Sequence, residues 1–292
     1  MKKFLTLVVA LGLTFGASAQ KTISVEGADE NVRLWDNTTA KYSNHQTKDE
    51  TWRKDKKNVM LNTSSCELYI FKADETKNKG VAVAIYPGGG YSGLYIETST
   101  AKWLASEGIT AAVVKYRLPN YGHKEATLED AMGAVNYLRT RTDLGIDPSK
   151  VGVFGSSAGG HLAAWVSNAM TEGEKPAFAI LLFPAITRTE FYTKMSTNSR
   201  LLGKDYCYQE AFDISANNMV SPTTPPTIIF LCDDDNVVPS VSSVAYYKAL
   251  NNYGVKASMH IYPKGGHSLA NHIEEYRAAV IDWLTWLKIQ TK

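Results

Sequence analysis

With 292 residues, 44% of them hydrophobic and 11% aromatic, the chain can bury one large core, and it contains no low-complexity tract or internal repeat. Its 31 basic residues fall level with the 29 acidic ones once Lys2 and Lys3 are set aside. Balanced charge argues against nucleic acid or an anionic membrane as partner.

Lys2 and Lys3 open a basic start, Phe4 to Phe15 is apolar but for Thr and Gly, and Ala17-Ser18-Ala19 is a small-residue cleavage site. This pattern predicts a signal peptide over residues 1–19, too short for a membrane span, and a mature single domain over 20–292. No lipobox cysteine follows, so the expected product is a soluble exported protein, periplasmic or secreted. The cysteines, Cys66, Cys207 and Cys232, are odd in number and lack metal-binding spacing. Cys232 closes an apolar run and is expected to be a buried thiol. A Cys66–Cys207 bridge would need an oxidising compartment and is not expected.

Residues 21–65 are polar, with Trp35 as an isolated anchor and a charged run from Lys48 to Lys57 expected to be solvated surface. Regular patterning begins at Cys66. Strands are predicted at 68–71, 81–86 and 109–116, with a helix over 98–107 that Gly108 would cap. An amphipathic helix follows over 127–141, with Leu128, Ala131, Val135 and Leu138 on one face. Then come a short strand at Val151–Phe154, a helix from Ala158, a strand over 178–183 and a long irregular insert over 184–226. Strand 227–232, helix 241–251, strand 257–262 and a last helix over 273–289 complete the chain. Strands alternating with helices predict an α/β fold: a mostly parallel sheet with helices on both faces and a small lid-like insert.

Ligands of such sheets bind at the carboxyl ends of the strands. That edge gathers four loops: Pro87-Gly88-Gly89-Gly90-Tyr91, Gly155-Ser156-Ser157-Ala158-Gly159, Asp233-Asp234-Asp235 and Gly265-Gly266-His267. Ser157 is the central serine of a Gly-x-Ser-x-Gly turn between strand and helix, which lifts the hydroxyl toward substrate. Ser156 is expected to point away. His267 is the candidate base; His161, one helical turn after Ser157, is the rival but is expected to pack or cap a loop. The Ser…Asp…His order suits nucleophilic catalysis with an acid drawn from Asp233, Asp234 or Asp235. Three adjacent carboxylates also suggest calcium, but consecutive side chains diverge and other oxygen ligands are few, so no metal site is expected. The glycines at 88, 89 and 90 would let backbone N–H groups approach a developing oxyanion, with Ala158 N–H as a further donor.

Together these four motifs resemble the secreted α/β-hydrolase esterases of the acetylxylan and feruloyl esterase kind, relatives of the hormone-sensitive-lipase-like group. The likeness runs from about Trp35 to the last helix. One departure is Pro87, where the lipase-like group usually has His. The resemblance implies Asp235 as the acid, because the family's acid commonly precedes a Val-Pro stretch such as Val238-Pro239. It also implies a serine esterase that removes acetyl or feruloyl groups from plant polysaccharide, with an acylated carbohydrate as partner and no cofactor. Tyr91 and Tyr206 are candidate stacking surfaces for a sugar or ferulate ring, although the aromatics of the insert also suit a small core of its own. A prolyl-oligopeptidase-type exopeptidase shares the triad order but usually carries a large extra domain, which these residues do not hold. A catalytically inactive carbohydrate-binding protein on the same scaffold is the remaining alternative, and the full triad set weighs against it.

Overall fold

Short, uninterrupted apolar runs decide the architecture, because a strand buried on both faces has no polar side to show. The computed structural model describes residues 25–190 and 195–289. The signal-peptide reading and two aromatics of the insert, Phe191 and Tyr192, lie outside the described residues.

The described residues open with β1 (Glu30–Asp36), then β2 (Thr51–Arg53), β3 (Lys56–Leu61) and β4 (Ser65–Phe71). Next come β5 (Val81–Tyr86), β6 (Leu94–Tyr95), α1 (Ser99–Ser106), β7 (Ile109–Lys115) and α2 (Lys124–Thr140). After them, β8 (Val151–Ser156) runs into α3 (Ala158–Ala169), followed by β9 (Ala179–Leu182). The stretch expected to be irregular holds α4 (Met195–Leu202), α5 (Tyr208–Asp213) and α6 (Ala216–Met219). The chain closes with β10 (Thr227–Cys232), α7 (Ser240–Asn252), β11 (Ala257–Tyr262) and α8 (Ile273–Trp286).

Among the described residues the main sheet has eight strands in the order β1-β4-β7-β5-β8-β9-β10-β11. From β7 to β11 all neighbours are parallel, while β1 and β4 add an antiparallel edge. Strands β4, β5, β7, β9 and β10 are buried along their whole length. Helices α1 and α8 meet through Trp103 and Tyr276, ring centroids 6.0 Å apart. Helices α2 and α3 pack together elsewhere on the sheet, and α6 joins α3 to α7.

Within the stretch expected to be polar and irregular, residues 25–65 differ from that expectation. Strand β1 pairs with β4, and β2, β3 and β6 form a separate three-stranded sheet. The charged run is not wholly solvated either: Glu50 accepts bonds from the N–H of Ser64 and Ser65 and from Lys115 Nζ, and Lys115 is fully buried. Such pairing links residues distant in sequence, so no local pattern announces it. The three cysteines are free, Cys66 and Cys232 buried and Cys207 exposed.

Trp35 anchors a larger polar cluster. Its Nε1 donates to Asp130 Oδ1 at 2.5 Å, and Asp130 also accepts from Arg117 Nη2 (2.7 Å) and the Arg117 backbone N–H (2.7 Å). Arg117 and Asp130 are fully buried. Asp130→Ala should therefore cost about 2–3 kcal/mol, since it leaves the buried guanidinium with Glu129 but without Asp130, and takes the acceptor from the Trp35 N–H. The urea midpoint reads this directly, and a loss below about 1 kcal/mol would contradict it.

Candidate active site

The strand-to-helix corner between β8 and α3 leaves room for one residue, Ser157, with φ 53° and ψ −119°. Such a backbone costs on the order of 1–3 kcal/mol for a residue with a side chain. Three hydrogen bonds hold it: Ser157 N–H to Leu182 O (2.9 Å), and the N–H groups of His161 (3.0 Å) and Ala185 (3.1 Å) to Ser157 O. The corner also needs close approach. A Cβ on Gly155 would collide with the carbonyl oxygen of Gly159, and one on Gly159 with the carbonyl oxygen of Tyr86. Gly159→Ala is thus expected to lose about 3 kcal/mol, the upper part of the usual overpacking range, because the atoms struck are backbone. A melting temperature within a degree or two of wild type would show that the corner relaxes.

The ends of β10 and β11 bring up the partners. His267 Nε2 lies 2.8 Å from Ser157 Oγ, and His267 Nδ1 lies 2.6 Å from Asp235 Oδ2. An ionised carboxylate only accepts, so Nδ1 carries the proton toward Asp235 and neutral Nε2 is left to accept from the Ser157 hydroxyl. Phe183 packs its ring against the imidazole at 4.7 Å between centroids. Burial pushes the Asp235 carboxyl up, but bonds from His267, Val238 and Val237 outweigh it and hold the carboxyl below its ordinary value. That stabilisation persists above the usual carboxylate range and is lost only as pH falls through the lowered value.

The three acids have separate roles in the geometry. Asp234 Oδ1 accepts from the N–H groups of Gly265 (2.9 Å) and Gly266 (2.7 Å), tying down the loop that carries His267. Asp233 Oδ1 accepts from Ser240 Oγ at 3.2 Å, at the start of α7. Only Asp235 reaches the imidazole.

His161 is held away from Ser157 Oγ by its own partners. Its Nε2 donates to Ile214 O at 2.7 Å, which leaves Nδ1 to accept from Tyr91 OH, also at 2.7 Å. Burial pushes its pKa well below the ordinary imidazole value.

Ser157 and His267 open into a cavity of about 820 Å³ lined also by Gly88, Gly89, Gly90, Ala158, Val238 and Arg188. Among the described residues, the N–H groups of Gly88, Gly89, Gly90 and Ala158 have no acceptor. Gly89 has φ 136° and cannot be replaced without strain, since a Cβ there would strike Gly93 O. A hydroxyl, an imidazole oriented by a carboxylate, and unpaired N–H donors at one cavity wall are the parts needed to attack a carbonyl and hold the resulting oxyanion.

Three expectations need correction. Tyr91 is 2% exposed, lies under the glycine loop with φ 58° and spends its hydroxyl on His161, so its ring cannot stack on a ligand. Tyr206 packs partly buried against the core and does not line the cavity. Ser156 does line it, beside Gly88, instead of pointing away. The sequence reading also missed Arg188, Arg200 and Thr197 on the cavity wall, all within the insert. An arginine a few residues beyond a buried strand was the available signal for Arg188.

A mostly parallel eight-stranded sheet with polar loops converging at the carboxyl ends of its strands is the α/β-hydrolase architecture. The chain belongs to the family whose model is described as alpha/beta hydrolase fold, which matches residues 84–271. It is 36% identical over 197 residues to an acetylxylan esterase of Xylanibacter ruminicola, covering 64% of this chain and 41% of that protein. It is 27% identical over 210 residues to endo-1,4-beta-xylanase B of Butyrivibrio fibrisolvens, covering 66% of this chain and 33% of that protein. The chain thus spans less than half the length of these two relatives. Among solved structures, an acetyl ester-xyloside bifunctional hydrolase from Caldicellulosiruptor lactoaceticus superposes with a TM-score of 0.72 at 30% identity, over 77% of this chain and 89% of that one.

Proposed function

We propose that this chain is an exported serine esterase that removes acetyl groups, or feruloyl groups, from plant polysaccharide or its oligosaccharides. The observation that carries the reading is the continuous relay from Asp235 through His267 to Ser157, beside unpaired N–H groups on one cavity wall. Ser157 Oγ attacks the ester carbonyl while His267 Nε2 takes its proton. The N–H groups of Ala158 and the 88–90 loop hold the oxyanion, each worth roughly 3 kcal/mol in the barrier. His267 then hands the proton to the leaving sugar oxygen, and water hydrolyses the acyl-enzyme by the same path. Asp235 fixes the imidazole tautomer and stabilises its charged form.

Similarity to an acetylxylan esterase and to an acetyl ester-xyloside hydrolase supports a carbohydrate ester as substrate. The cavity volume falls within the common range for small-molecule sites and has room for a sugar beside a small acyl group. The pattern of residues 1–19 supports the exported part of the reading.

The test is a fluorophosphonate probe with p-nitrophenyl acetate and aminoacyl-nitroanilide assays run side by side. Labelling of Ser157 with ester turnover is the expected result. Anilide cleavage without ester cleavage would favour a peptidase, and absence of labelling would point to an inactive scaffold. Acyl esters of several sugars then rank acetyl against feruloyl.

A further inference from the structure

Arg188 carries a charge that no carboxylate among the described residues neutralises. The residue is 3% exposed, and among the described residues its Nε and Nη2 have no hydrogen-bond partner. Among the described residues no carboxylate pairs with it, and residues 1–24, 191–194 and 290–292 contain no Asp or Glu. A buried guanidinium ordinarily keeps a carboxylate or phosphate within reach, because desolvation without compensation is strongly unfavourable. Burial pushes its pKa down to about 10, which leaves it charged at neutral pH.

The backbone that carries the side chain is held in place. Arg188 N–H donates to Ser215 Oγ (2.9 Å), and Arg188 O accepts from Asn198 Nδ2 (2.7 Å). The guanidinium carbon sits 5.8 Å from the Tyr91 ring centroid, and that ring is itself fixed through its hydroxyl to His161. Arg188 lines the same cavity as Ser157 and His267. It follows by three residues Ala185, whose N–H bonds Ser157 O, so at most about 11 Å of chain separates the two. Arg200 lines this cavity as well, its Nη1 bonded to Gly90 O at 2.9 Å. The acid on the wall, Glu97, bonds to the Ser99 N–H and Thr100 Oγ1 instead.

We propose that Arg188 is a specificity-determining residue that binds a carboxylate of the substrate. The inference rests on the esterase reading above and narrows it: the preferred ester is acidic as well as acylated. Two sources offer that carboxylate, a uronate on the sugar side or the free acid of a dicarboxylic half-ester on the acyl side. An acetyl group leaves the larger part of the cavity to the sugar, which favours the uronate.

The experiment compares kcat/KM for four esters: acetylated methyl xyloside, acetylated methyl glucuronide, p-nitrophenyl acetate and p-nitrophenyl hemisuccinate. Wild type should prefer the glucuronide over the xyloside by roughly 10- to 100-fold, the usual worth of a hydrogen-bonded charge. Preference for the hemisuccinate over the acetate instead would assign the carboxylate to the acyl side. Arg188→Met should abolish the acidic-to-neutral ratio, and Arg188→Lys should restore part of it. Glucuronate, unlike xylose, should raise the wild-type melting temperature, a readout independent of turnover and of how the variants fold. Equal rates on acidic and neutral esters, with no thermal shift by glucuronate or succinate, overturn the proposal. If no ester is cleaved at all, the esterase reading fails while the thermal shift still decides whether Arg188 binds a carboxylate.

Discussion

Replacing Ser157 by alanine is expected to lower ester turnover by roughly a million-fold, the usual consequence of removing a triad serine. The prediction follows from one distance and one backbone turn. Ser157 Oγ is 2.8 Å from His267 Nε2, and the strained turn at φ 53° presents that oxygen to the cavity. Alanine keeps the Cβ and the three backbone hydrogen bonds that hold the corner, so the melting temperature should stay close to wild type. Ser156→Ala is the control. Ser156 lies on the cavity wall, but its hydroxyl has no hydrogen-bond partner among the described residues and no imidazole beside it. Its loss should reduce kcat/KM by less than about tenfold, the effect of a changed contact in place of a missing nucleophile. Single-turnover assays of both variants check the pair, and equal damage from the two would remove Ser157 from its assigned role.

How far such a site can be read from sequence depends on whether its parts are local. Ser157, Asp235 and His267 lie far apart along the chain, yet each sits in a short polar loop directly after an apolar strand. Parallel sheets bring such loops to one edge. The strands themselves were legible because burial on both faces leaves runs such as Val81-Ala82-Val83-Ala84-Ile85-Tyr86 without interruption. Helix α7 was expected over 241–251 and spans Ser240–Asn252. Helix α2 begins at Lys124 instead of Thr127, since its first turn is polar and outside the amphipathic pattern.

The features that escaped prediction depend on contacts distant in sequence. Strand β1 mixes charged and apolar residues on both of its faces, and Arg33 meets its partner Glu67 only after β4 pairs beside it. The helices of the insert have four to eight residues, about one or two turns, too short for a periodic signal to emerge. Tyr91 looked like a stacking surface because it follows three glycines. Its positive φ turns the ring beneath the loop, where it supports His161 and Arg188. Arg188 follows a buried strand by a few residues, but that signal alone does not distinguish a solvated arginine from a buried one.

Asp235→Asn should lower turnover by up to ~10⁴-fold with little change in fold, because an amide cannot hold the same tautomer. The carboxylate accepts from His267 Nδ1–H at 2.6 Å through Oδ2, while Oδ1 accepts from the N–H groups of Val237 (2.8 Å) and Val238 (2.9 Å). An asparagine can keep its oxygen on the two backbone donors, which preserves the turn. Its NH₂ then faces the imidazole and donates, so Nδ1 must accept and Nε2 must carry the proton. A protonated Nε2 cannot take the proton of Ser157, and the base is lost with its position unchanged. Asp234→Asn acts differently. The amide oxygen can still accept from Gly265 and Gly266, so turnover should fall by less than about tenfold, with the main loss in loop stability. Asp233→Asn disturbs a single bond to Ser240 Oγ and should be milder still. Turnover numbers and melting temperatures for the three variants separate tautomer control from loop anchoring. A larger kinetic loss in Asp234→Asn than in Asp235→Asn would mean that holding the His267 loop, and not orienting the imidazole, limits catalysis.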